Sequence, residues 1–349
     1  MKKTYRILPV YTGDVSGFAS ALYEFGGMCV IHDPSGCNST YNTHDEIRWY
    51  DKESLIYISG LNDIDAITGN DDKLIENIVY AAGEMKPKFI ALANSPLPYL
   101  NGTDFKGICK ILEQKTGLPC FYVQTNAMHD YTKGASEAYL AFARKLLKPL
   151  PKHTGNKPAA NILGATPLDH AGTVFDISNE YETVSNWSYG TSYENALKAA
   201  SADVNIVVSS SGLAVAKYMR EEFGITYKFI GDYLDVERSK TKCYVVGEPV
   251  TSGFVAAQIK RQYGKDFNVI ATTEITDGLL GRNDIKAHGE EEIRNALADA
   301  EIIIADPLFK LVAPKSAKFI ELPHFAMSGR LYLKQIPDLT KTEEYYHEP

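Results

Sequence analysis

The sequence predicts an α/β protein with mostly parallel sheets, arranged as consecutive units around a cleft. Three observations predict it. Short apolar runs of strand length alternate with amphipathic helical stretches along the 349 residues. One stretch, 148–158, breaks that rhythm with three prolines and several lysines and no apolar periodicity, as a linker does. The strands end in small or polar residues, where open α/β sheets take their ligands.

The first unit opens on a glycine-bearing loop, Tyr11-Thr12-Gly13-Asp14-Val15-Ser16-Gly17, ahead of the first helix. Buried strands are predicted over 28–31, 55–58, 88–93 and 120–123. The spacing predicts a helix over 71–85, with Leu74, Ile75, Ile78, Val79 and Ala82 on one stripe and acidic residues at its start. A second, over 104–115, carries Phe105, Ile108, Ile111 and Leu112 and stops at Gly117 and Pro119. A third spans 132–147. Helices of this length between strands imply parallel pairing through right-handed crossovers. Residues 1–150 are expected to form the N-terminal domain.

Residues 159–240 form a second unit, with strands over 159–163, 204–208 and 227–230 and helices over 193–200 and 213–223. Residues 241–335 form a third, with strands over 243–246, 269–271, 302–305 and 319–322 and helices over 253–263 and 290–300. Residues 336–349 are expected to be a peripheral tail. Strand ends recur as Asn94-Ser95-Pro96, Ser209-Ser210-Ser211-Gly212, Gly247-Glu248-Pro249 and Ala305-Asp306-Pro307. Each alone is ordinary turn chemistry. Together they favour a ligand cleft between domains.

Composition narrows the function classes. A net charge of −8 without any Lys/Arg-rich run gives no support to nucleic-acid binding. No apolar stretch approaches the ~20 residues of a membrane helix, and the apolar patch after Arg6 is too short for a signal peptide. A cytoplasmic enzyme or binding protein is expected. The five cysteines include no C-x-x-C pair, and their odd count and scattered spacing argue against a disulfide framework. Cys109, Cys120 and Cys243 lie in apolar patterns and read as small buried hydrophobes, as does Cys29 inside the first strand. Neither a G-x-G-x-x-G fingerprint nor a Walker A motif is present.

The candidate chemistry centres on His32-Asp33-Pro34-Ser35-Gly36-Cys37, a turn just past the first strand. Backbone N–H groups at a loop-to-helix start favour a thiolate, the form that binds iron. One cysteine does not hold a cluster by itself, so Cys37 either shares a metal with other ligands or simply packs. Asp14, on the first loop, is one possible partner. His32 and His324 both sit at strand ends, as structural histidines or as ligands. His44, Asp45 and Glu46 read as a solvated helix, and Glu274 and Asp277 as solvated loop charge or cleft lining.

The sequence resembles the component 1 family of nitrogenases and their relatives, which include the dark-operative protochlorophyllide and chlorophyllide reductases and the nickel-tetrapyrrole reductive cyclase. His32 to Cys37 resembles the family's His-Gly/Ala-Pro-x-Gly-Cys segment, whose cysteine ligates an iron–sulfur cluster. Tyr11-Thr12-Gly13-Asp14 lies where the family's first cluster ligand falls, a cysteine or, in one reductase branch, an aspartate. Gly69-Asn70-Asp71-Asp72-Lys73-Leu74 resembles a family helix start. Leu100-Asn101-Gly102-Thr103-Asp104 and the strand before it resemble the segment reading roughly Cys-x-x-x-x-Ile-Gly-Asp-Asp. Ala202 to Val208 with Gly212-Leu213 looks like the second-domain strand, and Leu322-Pro323-His324-Phe325-Ala326-Met327-Ser328-Gly329 like the third-domain segment that reaches the active-site cavity.

The resemblance implies three Rossmann-like domains around a central cleft. It also implies a homodimer, or a pairing with a paralogous component 1 subunit, and a separate ATP-dependent iron protein as electron donor. The cofactor implied is an iron–sulfur cluster of the [4Fe–4S] type shared between subunits, with Cys37 and Asp14 or Cys29 as ligands. Asn94-Ser95-Pro96 stands where the family has its third cluster cysteine, and no counterpart of the second-domain cofactor cysteine is visible. His324 falls one position from the family's cofactor-ligating histidine. The leading expectation is a reductase subunit acting on a small molecule or tetrapyrrole, not dinitrogen, in a cleft lined by His32, Ser35, Gly36, Ser95, Ser210, Glu248 and His324. The alternative is a non-catalytic scaffold or carrier of a metallocofactor or tetrapyrrole in the same cleft.

Overall fold

The computed structural model describes residues 6–8, 11–34 and 46–347. The chain runs through α1 (Asp14–Leu22), β1 (Met28–His32), β2 (Leu55–Ile58), α2 (Asp63–Thr68), α3 (Asp72–Met85), β3 (Ile90–Asn94), α4 (Pro96–Asn101), α5 (Phe105–Thr116), β4 (Cys120–Val123) and α6 (Tyr131–Leu146). The four strands form one parallel sheet in the order β2-β1-β3-β4. Strand alternation sorts the side chains. Cys29, Ile31, Ala91, Ala93, Phe121 and Val123 pack in one core with residues of α1 and α6. Met28, Val30, Ile90, Leu92 and Cys120 pack in another with α3 and α5.

Contact between α1 and α6 depends on two glycines. A Cβ at Gly17 would stand 2.0 Å from the carbonyl oxygen of Tyr131, and one at Gly134 would stand 1.8 Å from that of Asp14. Both lie far inside van der Waals contact, so only glycine lets the backbones meet.

The second sheet follows: β5 (Ala159–Ala165), α7 (Pro167–His170), β6 (Glu182–Ser188), α8 (Tyr193–Leu197), β7 (Val204–Val207), α9 (Leu213–Phe223) and β8 (Thr226–Phe229), with strand order β6-β5-β7-β8. The third comprises β9 (Cys243–Gly247), α10 (Pro249–Tyr263), β10 (Asn268–Ala271), β11 (Ile285–Lys286), α11 (Glu290–Ala296), β12 (Ile302–Ala305), β13 (Lys318–Glu321) and α12 (Phe325–Ser328), with order β11-β10-β9-β12-β13. The strand pairs of all three sheets are parallel. Among the described residues no helix is long and apolar enough to cross a membrane.

Several short elements, among them α2, α4, α7 and β11, were not expected, and four further departures bear on the core. Strand β6 was not expected, because Glu182–Ser188 is mostly polar. It forms because Trp187 is fully buried in the shared core against Phe25, Tyr139 and Phe142. The helix expected over 290–300 stops at Ala296. The tail expected to be peripheral buries Leu339, Tyr345 and Tyr346 beside Phe254, Val255 and Phe267. Glu46, expected on a solvated helix, is instead buried in an ion-pair cluster. Arg48 Nε lies 2.7 Å from Glu46 Oε1 and its Nη1 3.1 Å from Glu24 Oε1. His44 and Asp45 lie outside the described residues.

The sheets share one core that joins α1, α6 and α9 with Leu163, Trp187 and Val207. The first and third are tied by polar contacts. Asp130 Oδ2 accepts the Glu274 N–H at 2.7 Å, His129 Nδ1 lies 2.8 Å from Glu274 Oε2, and the Tyr11 hydroxyl lies 2.7 Å from Thr272 Oγ1.

Candidate functional site

Polar side chains converge where strands of the second and third sheets end. Glu248 follows β9 and caps α10. Its carboxylate accepts the Ser210 N–H at 2.8 Å, the Thr251 N–H at 2.7 Å and the Thr251 hydroxyl at 2.9 Å. Capping explains the residue's place at a helix start. Its titration is set by other forces. Glu248 is fully buried, and burial first, then the charge of Asp169, push its carboxyl up to about 7 against the pull of those N–H groups.

Asp169 sits in the short helix after β5. The Tyr131 hydroxyl donates to Asp169 Oδ1, and His324 Nε2 lies 3.2 Å from the same oxygen. Burial opposes a charge on His324, but the adjacent Asp169 carboxylate outweighs it, so the imidazole is held above its ordinary range. Burial and then the Asp169 charge push the Tyr131 phenol well up. Asp306, at the end of β12, accepts the His324 N–H at 2.8 Å and fixes where that histidine enters α12. The Tyr11 ring meets His324 edge-on, with centroids 5.9 Å apart. The arrangement can hold a proton near neutral pH at Glu248 and at the Asp169–His324 pair.

Free space here is small. The cavity bounded by Asp169, Thr251, Ser252 and His324 measures about 30 Å³, room for roughly one water.

A separate polar group lies at the end of the first sheet. His32 closes β1, with Nδ1 2.7 Å from Ser59 Oγ and its ring edge against Phe105 at 5.9 Å. Burial pulls the imidazole down to about 4, so it is neutral at physiological pH. The Ser95 N–H donates to the His32 carbonyl at 3.2 Å, and among the described residues the buried Ser95 hydroxyl meets no partner. His32 lines an open cavity of about 570 Å³ together with Asp65, Leu97 and Asp104.

Asp14 opens α1 with both carboxylate oxygens engaged. Oδ1 accepts the Val15 and Ala127 N–H groups at 2.8 Å each, and Oδ2 accepts that of Asn126 at 2.9 Å. Burial nevertheless raises its pKa. This carboxylate latches the loop before α6 onto α1, including Ala127 at φ 56°.

The expected site residues therefore fall into two groups. Ser210, Glu248 and His324 come together, and His32 and Ser95 stand at another sheet end. Ser35, Gly36 and Cys37 lie outside the described residues. Cys29, Cys109, Cys120 and Cys243 are free and buried, as expected of small hydrophobes. Burial pushes the Cys29 thiol up to about 12. Among the described residues no group of three or more His, Cys, Asp or Glu side chains could hold a metal ion. They do not supply the donor set of a complete iron–sulfur cluster.

Sequence reasoning missed Asp169 and Tyr131. A signal existed: Thr166-Pro167 repeats the residue-then-proline ending of Ser95-Pro96, Glu248-Pro249 and Asp306-Pro307. Proline suits the first helical position in each.

Residues 22–271 match the family described as Nitrogenase component 1 type Oxidoreductase. Among curated proteins the chain is similar to the nitrogenase iron-molybdenum cofactor biosynthesis protein NifE of Clostridium pasteurianum, at 24% identity over 229 residues covering 63% of this chain. The chain spans about half, 49%, of that relative. Among solved structures it is similar to one described as nitrogenase Cp1 at pH 5, with a TM-score of 0.65 and 14% identity over 95% of this chain and 86% of that one. Another, described as nitrogenase Cp1 at pH 6.5, gives a TM-score of 0.61 and 16% identity over 91% of this chain and 70% of that one. At these identities the two structures show a shared fold.

Proposed function

The chain belongs to the nitrogenase component 1 type oxidoreductase family, and we propose that within it the chain handles a metal–sulfur cofactor as cargo. It does so paired with a second copy of itself or a paralogous subunit. The observation that carries this reading is the thiol supply. Four of the five cysteines are buried in sheet and helix cores, which leaves Cys37 as the thiol this chain can offer. An iron–sulfur cluster ordinarily takes four thiolates, so a second chain must supply further ligands. Asp14 is the proposed oxygen ligand beside Cys37. To act so, it must share oxygens that already accept three backbone N–H bonds. The curated relative, described as a cofactor biosynthesis protein, supports the same reading.

One observation favours a second reading, an iron-protein-dependent reductase. Reduction consumes protons, and Glu248 at about 7 beside Asp169 and His324 could hold and release them near neutral pH. The test is anaerobic. The loaded chain is incubated with a component 1 enzyme lacking its cofactor, and separately with an iron protein, ATP and reductant. The carrier reading expects one-for-one loss of cofactor to the acceptor without sustained electron uptake. Sustained, ATP-dependent uptake over many turnovers per chain contradicts it and supports the reductase.

A further inference from the structure

We propose that the open edge of the first sheet docks an extended acidic segment of a partner protein. Strand β4 ends that sheet, with β3 on one side and, among the described residues, no strand on the other. A groove of about 760 Å³ runs along this edge, floored by Phe121, Tyr122, Leu140 and Ala141. Its walls carry four cations, Lys106 and Lys110 from α5 and Arg144 and Lys145 from α6, against two carboxylates, Glu113 and Glu137. Glu137 is already paired with Lys133 at 2.6 Å. Lys106, Lys110 and Arg144 are exposed. On a chain of net charge −8, this is a local reversal of sign.

The placement of the cations favours a strand-like occupant. Helix α5 packs on one face of the sheet and α6 on the other. An added strand points successive side chains to opposite faces. Acidic residues at neighbouring positions would thus meet Lys106 and Lys110 on one side and Arg144 on the other. The chain itself shows how the edge takes a carboxylate. Glu113 Oε1 accepts the Cys120 N–H of β4 at 2.9 Å and pairs with Lys145. Main-chain bonding to an edge strand, with side-chain pockets setting preference, is an established recognition mode, and exposed charge of one sign steers the opposite sign onto it.

The probe is a fluorescein-labelled peptide of Glu and Asp, about eight residues or ~26 Å when extended, titrated with the full chain by fluorescence anisotropy. Saturable binding is expected at about 50 mM salt, weakening as the Debye length shortens. The Lys110→Glu, Arg144→Glu double variant is expected to bind about tenfold more weakly or worse, with an unchanged circular dichroism spectrum. Lys217→Glu, an exposed charge on α9, should leave binding as it was. The proposal is overturned by absence of binding at low salt or by binding that survives the double reversal. Displacement by inorganic tripolyphosphate as readily as by unlabelled peptide also overturns it, since the edge is then a general anion patch.

Discussion

Glu248→Gln isolates the energetics of the central polar group, because it removes one ionisation and keeps the shape. A carboxyl moved from its ordinary 4.5 to about 7 by burial and the Asp169 charge costs the folded state about 3 kcal/mol once ionised, at roughly 1.36 kcal/mol per pH unit. Its folded pKa lies above its unfolded one. Its stabilising contribution is therefore complete below about pH 4.5 and lost as the pH rises through about 7. The glutamine has no such dependence. It does turn an amide NH₂ toward one of two N–H donors, those of Ser210 and Thr251, and forfeits about 1 kcal/mol in hydrogen bonding. The variant should thus be about as stable as the parent near pH 5, where the parent has already lost about 1 kcal/mol, and more stable by about 2 kcal/mol near pH 8. Urea unfolding of both proteins across that range measures the difference. A difference that stays constant from about pH 5 to about pH 8 refutes the reasoning, since the side chain would then titrate alike in both states.

Other perturbations bear on the frame around the site. Gly134→Ala drives a methyl against the Asp14 carbonyl at 1.8 Å and should cost about 3 kcal/mol or prevent folding, read as a drop in urea midpoint at unchanged slope. Arg48→Ala leaves Glu24 and Glu46 buried without their guanidinium and should cost about 3–5 kcal/mol. The same measurement reads it, and a loss below about 1 kcal/mol means the cluster behaves as a surface pair. Glu290 Oε2 accepts the N–H groups of Arg6, Ile7 and Leu8, which hold its pKa down to about 2. Glu290→Gln should speed amide exchange at Leu8. In the parent the same protection should persist above about pH 4.5 and fade as the pH falls toward about 2.

The frame was legible in the sequence where periodicity was strong. Helices α3, α5, α6 and α9 follow stripes such as Leu74, Ile75 and Ile78, and the buried strands are plain apolar runs. Burial of four cysteines followed from their apolar surroundings. What escaped was set by tertiary contact. Strand β6 is polar by composition and is ordered by Trp187 in a core built from distant segments. Tyr345 and Tyr346 look like tail residues until α10 is there to receive them. Half the site was visible, because Glu248 and Asp306 stand before prolines at strand ends. Asp169 and Tyr131 were not, because their pairing joins residues 38 positions apart, and the Thr166-Pro167 ending marks the strand end before Asp169 without marking its partner. The four-residue helix α7 has no periodicity to detect.

The central claim is that Cys37 is the one thiol this chain gives to a shared metal–sulfur cofactor. The direct measurement is iron and acid-labile sulfide per chain after anaerobic reconstitution, for the parent and for Cys37→Ser. Circular dichroism confirms that both are folded. The account predicts about four irons per pair of chains in the parent and their loss in the variant. Unchanged iron in Cys37→Ser, or a parent that takes up none, contradicts it.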